Sequence, residues 1–397
     1  MRVVGLISGT SYDGIDAAVA DLSLHGEEVH LTPEGATTVP YPKHVRAALE
    51  AAMPPAPTTA AALCALDTTI GQAFADVAAT VVSDLANGRA DLVVSHGQTL
   101  YHWVEGREVL GTLQVGQPAW IAERTGLSVV ADLRARDVAA GGQGAPLASL
   151  LDVLLLGGAG PGEVPAALNL GGIANLTVVA PPGEPAAFDV GPANALLDAA
   201  VAHFTGGAET FDRDGLRGAR GRVHGDLLAR LRADPYYALP APKSTGKERF
   251  HLPYLLAAIE TAGGRLDPDD VVATVTALTA VTVAEACREH GVTSLVASGG
   301  GTANPTLMDG LRAALPLAEV TTIEGLGIPS DAKEAYAFAL MGFLTVHGLP
   351  GTVASCTGAA RATVLGAVLP GARGFDLPPA ATTAPTRLRV VDGRGAA

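Results

Sequence analysis

The recurring unit of this sequence is a short apolar run that ends in a glycine-rich or polar turn, often followed by a helical pattern. The apolar runs predict buried β-strands at residues 3–7, 15–22, 92–94, 127–131, 166–170, 186–190 and 294–297. Helical spacing of apolar residues is clearest over 58–87 and recurs over 194–204 and after Asn304-Pro305. Strands alternating with helices predict an α/β fold whose ligands bind where the strands end.

The length of the chain, 397 residues, exceeds what one simple core accommodates. We expect a first domain over 1–160, completed by part of the C-terminal helical region, and a second over 161–378. The tail over 379–397 is rich in Ala, Thr, Pro and Arg, which predicts loose order.

The charge balance excludes several functions. A net charge of −14 argues against a nucleic-acid surface and against an anionic membrane. It does not exclude ATP, because backbone N–H groups and a metal can hold phosphates without lysine. Three widely spaced cysteines predict reduced thiols rather than a zinc site or a disulfide. No apolar run is long enough for a membrane helix, and we expect a cytoplasmic protein.

A glycine-rich loop joins the first two predicted strands. Its residues are Gly9, Thr10, Ser11, Tyr12, Asp13, Gly14, Ile15 and Asp16. Glycine lets a backbone approach phosphate closely, the hydroxyls can donate to it, and Asp13 and Asp16 can orient Mg²⁺ directly or through water. The Walker-type lysine is missing, so this is not a P-loop. From the residues alone, an ordinary hairpin turn remains the commoner alternative.

Four other polar positions lie at or just after the ends of predicted strands, each with an alternative. Asp189 is a candidate general base or metal anchor, or else a helix cap. Gly299–Gly301 with Asn304 can receive an adenosine or a phosphate, although a glycine cluster alone is a weak signal. Arg134 can fork onto a substrate carboxylate, or form a surface ion pair. His96 is polar at a strand end, where a structural role is the commoner one.

Taken together, these motifs resemble the anhydro-N-acetylmuramic acid kinases, within the superfamily of acetate and sugar kinases, heat-shock ATPases and actin. The resemblance spans residues 5–345. It rests on these segments in family order: 5–16, Ser95-His-Gly-Gln98, Asp132-Leu-Arg134, Gly141-Gly-Gln-Gly-Ala-Pro146, 168–175, 188–194, Lys243-Ser-Thr-Gly246, 299–304 and Asp331-Ala-Lys-Glu-Ala335. Departures at Tyr12, Leu133, Val190 and Ala193 leave the polar atoms in place.

The resemblance implies two actin/hexokinase-like (ribonuclease-H-like) domains around a central cleft. It implies ATP and Mg²⁺, a small sugar substrate and a homodimer. The implied reaction hydrolyses the 1,6-anhydro ring and phosphorylates the freed O6, with Asp189 as the base. The implied nucleotide residues are Gly9 to Asp16, Gly172, Asn175, Gly299, Gly300, Gly301 and Asn304. The implied substrate residues are His96, Gln98, Arg134, Asp137, Gln143 and Gly144.

Two other functions stay open at this point. A relative with the same fold could phosphorylate another sugar or a carboxylate. An actin-like scaffold could bind ATP without any sugar chemistry, although the polar segments around Arg134 and Gly144 favour a substrate pocket. Asp331 to Glu334 also has the pattern of a capping box that opens a final helix.

Overall fold

The computed structural model describes residues 1–9, 12–106, 108–241, 243–246 and 248–392. The chain divides into two compact units. The first unit combines Met1–Gly158 with Gly327–Ala397, and the second unit is Ala159–Leu326. The second break therefore falls well before residue 378, where the sequence placed it, because the helix after residue 332 packs on the first sheet rather than the second.

The strands are, in chain order, β1 Arg2–Ser8, β2 Gly14–His25, β3 Glu28–Pro40, β4 Leu92–Glu105, β5 Glu108–Val115, β6 Ser128–Ala131, β7 Pro165–Leu170, β8 Ile173–Val178, β9 Ala186–Pro192, β10 Ser294–Ser298, β11 Glu319–Thr322, β12 Ala367–Leu369 and β13 Arg387–Val390.

The helices are α1 Lys43–Ala52, α2 Ala60–Asp84, α3 Ala119–Thr125, α4 Leu133–Ala139, α5 Ser149–Leu156, α6 Asn194–Phe204, α7 Leu216–Arg220, α8 Gly225–Arg232, α9 Leu252–Thr261, α10 Pro268–Glu289, α11 Pro305–Ala314, α12 Lys333–Val346 and α13 Ala354–Thr357. A 3₁₀ turn at Pro235–Ala238 also bears on the site.

The sheet of the first unit has the order β12-β6-β4-β1-β2-β3-β13, and β5 pairs with β4. The strand β2 is antiparallel to β1 and β3, whereas β4 is parallel to both β1 and β6. The helix α2 buries Ile70, Phe74 and Val81 in the core cluster that β1, β2 and β4 line. The apolar stripe predicted over 58–87 is therefore the face of α2 that packs on the sheet.

The sheet of the second unit has the order β11-β10-β7-β8-β9. Again the second strand, β8, is antiparallel to both neighbours, and β10 is parallel to β7 and β11. Five strands of each sheet thus share one order, β3-β2-β1-β4-β6 in the first unit and β9-β8-β7-β10-β11 in the second. Among these five, only β2 in the first unit and β8 in the second run opposite to the others. This is the ribonuclease-H-like arrangement, and the predicted α/β class with two such domains is confirmed.

Three predicted elements differ from the structure. The strand expected at 92–94 continues to Glu105, because its distal half pairs with β5 as a hairpin. The strand expected at 186–190 continues to Pro192, because pairing with β8 continues to that residue, so Asp189 lies inside β9 rather than at its end. The predicted loose tail contains β13, which pairs in parallel with β3. In the described residues one helix, α10, is long and apolar enough to cross a membrane, and most of it is buried in the second unit.

Candidate active-site residues in the two units

The loop between β1 and β2 contains a hydrogen bond between its described ends. Tyr12 N donates to the carbonyl oxygen of Gly9 over 3.2 Å, and Tyr12 has a φ of +42°. No atom would lie within 4 Å of a Cβ built on Gly9, so one side of the loop is unobstructed. Thr10 and Ser11, the predicted hydroxyl donors of this loop, lie outside the described residues.

Gln98 supports this loop from β4. Its side chain is fully buried, and its Nε2 donates to the carbonyl oxygen of Gly9 over 3.2 Å. Ser8 Oγ lies 2.6 Å from Gln98 Oε1 and 2.8 Å from the carbonyl oxygen of Gly14, so one hydroxyl hydrogen serves two acceptors. Gln98 was predicted to bind substrate, but burial leaves it no surface for a ligand in this conformation. Its observed role is to hold the ends of the loop.

Two further loop residues serve the packing of the strands. Ile15 is 1% exposed and lies in the core of the first unit, so its side chain does not fulfil the predicted nucleotide contact. Successive side chains of a strand point to opposite faces, and Asp16 occupies the other face. A Cβ on Gly14 would lie 2.7 Å from the carbonyl oxygen of Val39, so glycine permits the close approach of β2 and β3.

Asp16 is the half-buried acid of the first loop. Thr38 Oγ1, on β3, donates to its Oδ1 over 2.6 Å. Burial raises the pKa of the Asp16 carboxyl, the Thr38 hydrogen bond opposes this, and the negative charges of Asp13 and Asp331 add to the rise. Asp13 itself is exposed. A cation at this position would relieve the repulsion among these carboxylates.

His96 and Arg134 form a buried pair in the first unit. Arg134 Nη2 donates to His96 Nε2 over 3.0 Å, and Nη1 donates to the carbonyl oxygen of Gly144 over 2.5 Å. Since guanidinium only donates, His96 Nε2 is an acceptor and the hydrogen is on Nδ1. Burial, and then the charge of Arg134, hold the pKa of His96 well below its usual range. His96 is therefore a neutral ring, stacked on Phe338 at 4.4 Å.

Asp137 shapes the loop that follows α4. The carboxylate is fully buried; it accepts from Gly144 N over 2.7 Å and from Thr357 Oγ1 over 2.8 Å. The predicted contact of Asp137 with substrate is therefore replaced by a structural role. Gln143 is exposed beside it, and its N donates to the carbonyl oxygen of Thr357 over 2.7 Å. Asp137 thus fixes the loop on which Gln143 is exposed and whose Gly144 carbonyl oxygen accepts from Arg134.

A pocket of about 490 Å³ opens in the first unit beside His96. Its wall combines apolar side chains such as Leu63 with the polar side chains of Asp67, Gln114 and Asp132. His96 Nδ1 and Ser95 Oγ, both in lining residues, are buried and have no hydrogen-bond partner among the described residues. Apolar walls with a few polar groups are the usual composition of a small-molecule site, typically about 300–1,000 Å³.

In the second unit, four polar residues form one row across the sheet. Ser298 on β10 pairs with Asn169 on β7, Asn169 with Asn175 on β8, and Asn175 with Asp189 on β9. The register shifts between Ala174 and Asn175, which places Asn175 opposite Asp189. Directly opposite residues on one face of a sheet are close enough to interact.

Asp189 is half-buried and firmly held. Asn175 Nδ2 donates to Oδ1 and Thr245 N donates to Oδ2, each over 2.9 Å. Burial raises the pKa of the Asp189 carboxyl, these two hydrogen bonds oppose the rise, and the negative charge of Glu248 adds to it. A carboxylate whose proton affinity is set by such opposing causes is suited to take and release a proton.

The turn between β7 and β8 lies against the start of α6. Asn194 N donates to the carbonyl oxygen of Gly171, and Ala193 N and Ala195 N donate to that of Gly172. In a trans peptide the C=O and the following N–H point in opposite directions, so Gly172 N–H points away from α6. The Gly172 carbonyl oxygen is therefore occupied by α6, and a nucleotide contact through the Gly172 N–H group stays a prediction.

The segment from Gly299 to Asn304 packs against the end of β7. Gly299 has a φ of +86°, and a Cβ there would lie 2.5 Å from Asn169 Oδ1. A Cβ on Gly301 would lie 2.7 Å from that of Leu170, whereas Gly300 is exposed and a Cβ there would meet Asn194 Nδ2 only at 3.9 Å. Asn304 is 6% exposed, and its Oδ1 accepts from Leu307 N over 3.0 Å, which caps α11. Gly300 is thus the accessible member of the predicted nucleotide motif.

Glu334 is a charged residue that the sequence analysis did not select. The predicted capping box at Asp331 to Glu334 is wrong, because the N-cap of α12 is Ala332, which has no capping side chain. Lys333 instead forms a buried ion pair with Asp152 at 2.7 Å. Glu334 keeps exposed surface, yet surrounding protein raises the pKa of its carboxyl, and the charges of Lys333 and Arg134 oppose the rise. Its position beside two buried cations was not visible in the local pattern.

In the described part of the chain, no three His, Cys, Asp or Glu side chains converge as a metal site would require. A metal that takes most of its ligands from phosphates and water needs only one or two carboxylates. Asp16 with Asp13 satisfies that smaller requirement.

Two repeated ribonuclease-H-like units, one with a glycine loop after its first strand and the other with a carboxylate in its third, define the class of ATP-dependent kinases and ATPases that includes sugar kinases. A family model described as anhydro-N-acetylmuramic acid kinase matches residues 1–371. The chain belongs to the anhydro-N-acetylmuramic acid kinase family, and it is a kinase with ATP as a substrate.

Curated relatives agree with this assignment. The chain is 62% identical over 393 residues to the anhydro-N-acetylmuramic acid kinase of Streptomyces coelicolor, covering 99% of this chain and 100% of that protein. It is 56% identical over 397 residues to the enzyme of the same name from Rhodococcus erythropolis, covering 98% of this chain and 99% of that protein.

Proposed function

We propose that this protein hydrolyses the 1,6-anhydro ring of anhydro-N-acetylmuramic acid and phosphorylates O6 with ATP. The product is N-acetylmuramic acid 6-phosphate, which returns cell-wall sugar to cytoplasmic metabolism. The observation that carries the proposal is Asp189, a half-buried carboxylate held at both oxygens. A base that must take a proton from water needs a fixed direction and a raised proton affinity.

The bonds change as follows. Asp189 removes a proton from a water molecule while the water oxygen bonds to the anomeric carbon, and the bond from that carbon to O6 breaks. The freed O6 attacks the γ-phosphorus of ATP, and the bond to the β-phosphate oxygen breaks to release ADP. Asp189 then returns its proton to solvent, so that one water and one ATP are consumed for each sugar.

The pocket beside His96 is the proposed sugar site. Its mixed wall suits a sugar with apolar and polar edges, and His96 Nδ1–H supplies an unpaired donor. Arg134 keeps further N–H donors besides the two used by His96 and Gly144, and these suit the lactyl carboxylate of the sugar. Gln143 is the exposed polar residue of the neighbouring loop.

The nucleotide is assigned to the loop at Gly9 in the first unit, and to the backbone at Gly172 and Gly300 in the second. Asp13 and Asp16 would hold Mg²⁺ directly or through water, because the repulsion they share with Asp331 calls for a cation. Mg²⁺ supplies neutralisation of the charge that builds on the transferred phosphoryl group. We also propose a homodimer, from the family resemblance alone; light scattering during size-exclusion chromatography tests it.

Product analysis in ¹⁸O water with ATP, Mg²⁺ and the anhydro sugar tests the reaction. One ¹⁸O at the anomeric hydroxyl and none at O6 is expected, because water attacks the anomeric carbon. Preformed product kept in ¹⁸O water for the same time corrects for slow anomeric exchange. An unlabelled anomeric oxygen, or phosphorylation with the ring still closed, would contradict the coupled reaction. Turnover of plain hexoses instead would favour a related kinase.

A further inference from the structure

Four protein groups hold Asp189, at its side chain and at its main chain. Besides the two hydrogen bonds to its carboxylate, Tyr236 Oη donates to the Asp189 carbonyl oxygen over 2.7 Å. Asp189 N donates to the carbonyl oxygen of Lys243 over 2.9 Å. The carboxylate therefore cannot turn, nor the strand shift, without breaking one of these bonds.

Lys243 anchors this arrangement. Its ammonium group donates to the carbonyl oxygens of Tyr237, over 3.1 Å, and Tyr236, over 3.4 Å. It also lies 4.9 Å from the centre of the Tyr236 ring. A cation on the last carbonyls of a 3₁₀ turn and over an aromatic face stabilises both. The charge of Lys243 is thus used to hold Tyr236, the residue that holds Asp189.

The orientation of the Asn175 amide is set by Asp189. An ionised carboxylate only accepts hydrogen bonds, so Nδ2 rather than Oδ1 is directed at Asp189. Its place opposite Asp189 follows from a bulge in β9, where Val190 is skipped in the pairing with β8. The bond to Asp189 uses one of the two N–H donors of Nδ2, and the KM for ATP tests whether the other contacts the nucleotide.

We propose that Asn175, Tyr236 and Lys243 are positioning residues, which act on the reaction through Asp189 and touch neither nucleotide nor sugar. This inference rests on the proposed function, since it takes Asp189 to be the base. It reassigns Asn175 from the predicted nucleotide contacts, and it gives Lys243 a role other than binding phosphate.

The groups around Asp189 give each variant a signature. Asn175 and the Thr245 N–H stabilise the ionised carboxylate, whereas the negative charge of Glu248 disfavours it. Tyr236 and Lys243 contact only the main chain of Asp189: Tyr236 Oη donates to its carbonyl oxygen, and its N–H donates to the Lys243 carbonyl oxygen. The Lys243 ammonium group donates to the carbonyl oxygens of Tyr236 and Tyr237. Loss of Asn175 must therefore raise the pKa of Asp189, and loss of the Glu248 charge must lower it.

The test is the pH dependence of kcat/KM in the full chain. In Asn175→Ala we expect the acid limb to move to higher pH by about one pH unit, a tenfold change in proton affinity. Glu248→Gln, the matched control, moves the limb in the opposite direction. Tyr236→Phe leaves the limb in place but lowers kcat, because only the main-chain bond is lost. Lys243→Met behaves like Tyr236→Phe.

The KM for ATP separates this role from a nucleotide contact. We expect it to change less than about twofold in all four variants, against roughly tenfold or more for a lost charged hydrogen bond to phosphate. A tenfold rise in Asn175→Ala with an unmoved acid limb would overturn the proposal for Asn175. The same rise in Lys243→Met would overturn it for Lys243.

A measurement without substrate keeps this inference distinct from the proposed reaction. The ¹³C signal of the Asp189 carboxyl, titrated in the substrate-free protein, must show the higher pKa in Asn175→Ala even if the anhydro sugar is not turned over. Equal titration in wild type and variant contradicts the positioning role. Should the alanine variant not fold, Asn175→Val removes the same donor with a side chain that strands favour.

Discussion

Each unit pairs an acid with a hydrogen-bond partner across the second and third strands of its sheet, but the acid lies on a different strand in each. In the first unit Asp16 lies on the second strand, and its hydrogen-bond partner Thr38 lies on the third. In the second unit the partner, Asn175, lies on the second strand and the acid, Asp189, on the third. Burial raises the pKa of both acids, and one cross-strand side chain opposes the rise in each.

The difference lies in what else surrounds each acid. Asp16 follows the glycine loop and faces two further carboxylates, Asp13 and Asp331, an arrangement that favours a cation. Asp189 receives a second donor, Thr245 N, and is fixed through its main chain. The shared fold therefore sets where an acid can lie, and we propose that its neighbours suit Asp16 to a metal and Asp189 to proton transfer.

The largest test of this contrast is Asp189→Asn. We expect kcat to fall about 10²–10⁴-fold, since an amide cannot take a proton, while ATP binding is retained. Stopped assays of ADP release and a calorimetric ATP titration measure the two quantities. Asp226→Asn, an exposed acid at the start of α8, is the control for general loss of charge. Near wild-type turnover in Asp189→Asn would remove the assignment of the base.

Asp16→Asn is expected to have the next largest effect, and on a different quantity. The Mg²⁺ concentration for half-maximal rate should rise about 10–100-fold, while kcat at saturating Mg²⁺ changes much less. Thr38→Val removes only the hydrogen bond to Asp16 and should give a smaller rise in the same direction. If Asp16→Asn instead moves the acid limb of the pH profile, the two acids share one role and the contrast fails.

The sequence predicted the α/β fold because the fold depends on local pattern, and the same patterns made Asp16 and Asp189 candidate site residues. The apolar runs, the glycine turns and the helix start at Asn304 are readable without tertiary structure. The alternation of side chains along a strand also predicts that Ile15 and Asp16 point to opposite faces of the sheet. Assigning every residue from Gly9 to Asp16 to the nucleotide did not take this alternation into account.

What the sequence did not predict depends on register and on distant contacts. Asn175 faces Asp189 only because of a bulge in β9, where Val190 has no pairing partner in β8. Gln98 and Asp137 are buried by segments far from them in the chain, which turns two predicted ligand contacts into supports. Glu334 was hidden in a pattern that resembled a helix cap. In each case the residue type is visible in the sequence, but the residues that surround it in the fold are not.

Gln98 and Asn194 offer a milder comparison, because each amide holds one hairpin turn. Gln98 Nε2 donates to Gly9 O, and Asn194 Nδ2 donates to Leu170 O over 3.0 Å. Gln98→Leu leaves buried groups unpaired and should cost about 1–3 kcal/mol of local stability, whereas half-buried Asn194→Leu should cost about 1 kcal/mol. Hydrogen–deuterium exchange of peptides over 1–20 and 165–180 measures each opening. Equal protection losses would mean that the two turns are held alike.

The smallest expected effect concerns Asn304, which the sequence predicted as a helix N-cap and the family resemblance assigned to the nucleotide; the structure confirms the N-cap. Asn304→Ala should cost about 1 kcal/mol through the lost bond to Leu307 N, and Asn304→Asp should restore it, because both Asn and Asp cap helices well. Thermal unfolding of the two variants measures the difference. The KM for ATP should stay near wild type in Asn304→Asp, since a buried cap does not reach the nucleotide. A tenfold rise in the KM for ATP of Asn304→Asp would mean that the Asn304 side chain contacts the nucleotide, in addition to the exposed backbone at Gly300. The second unit would then bind ATP with a side chain, whereas the contact proposed for the first unit is its loop.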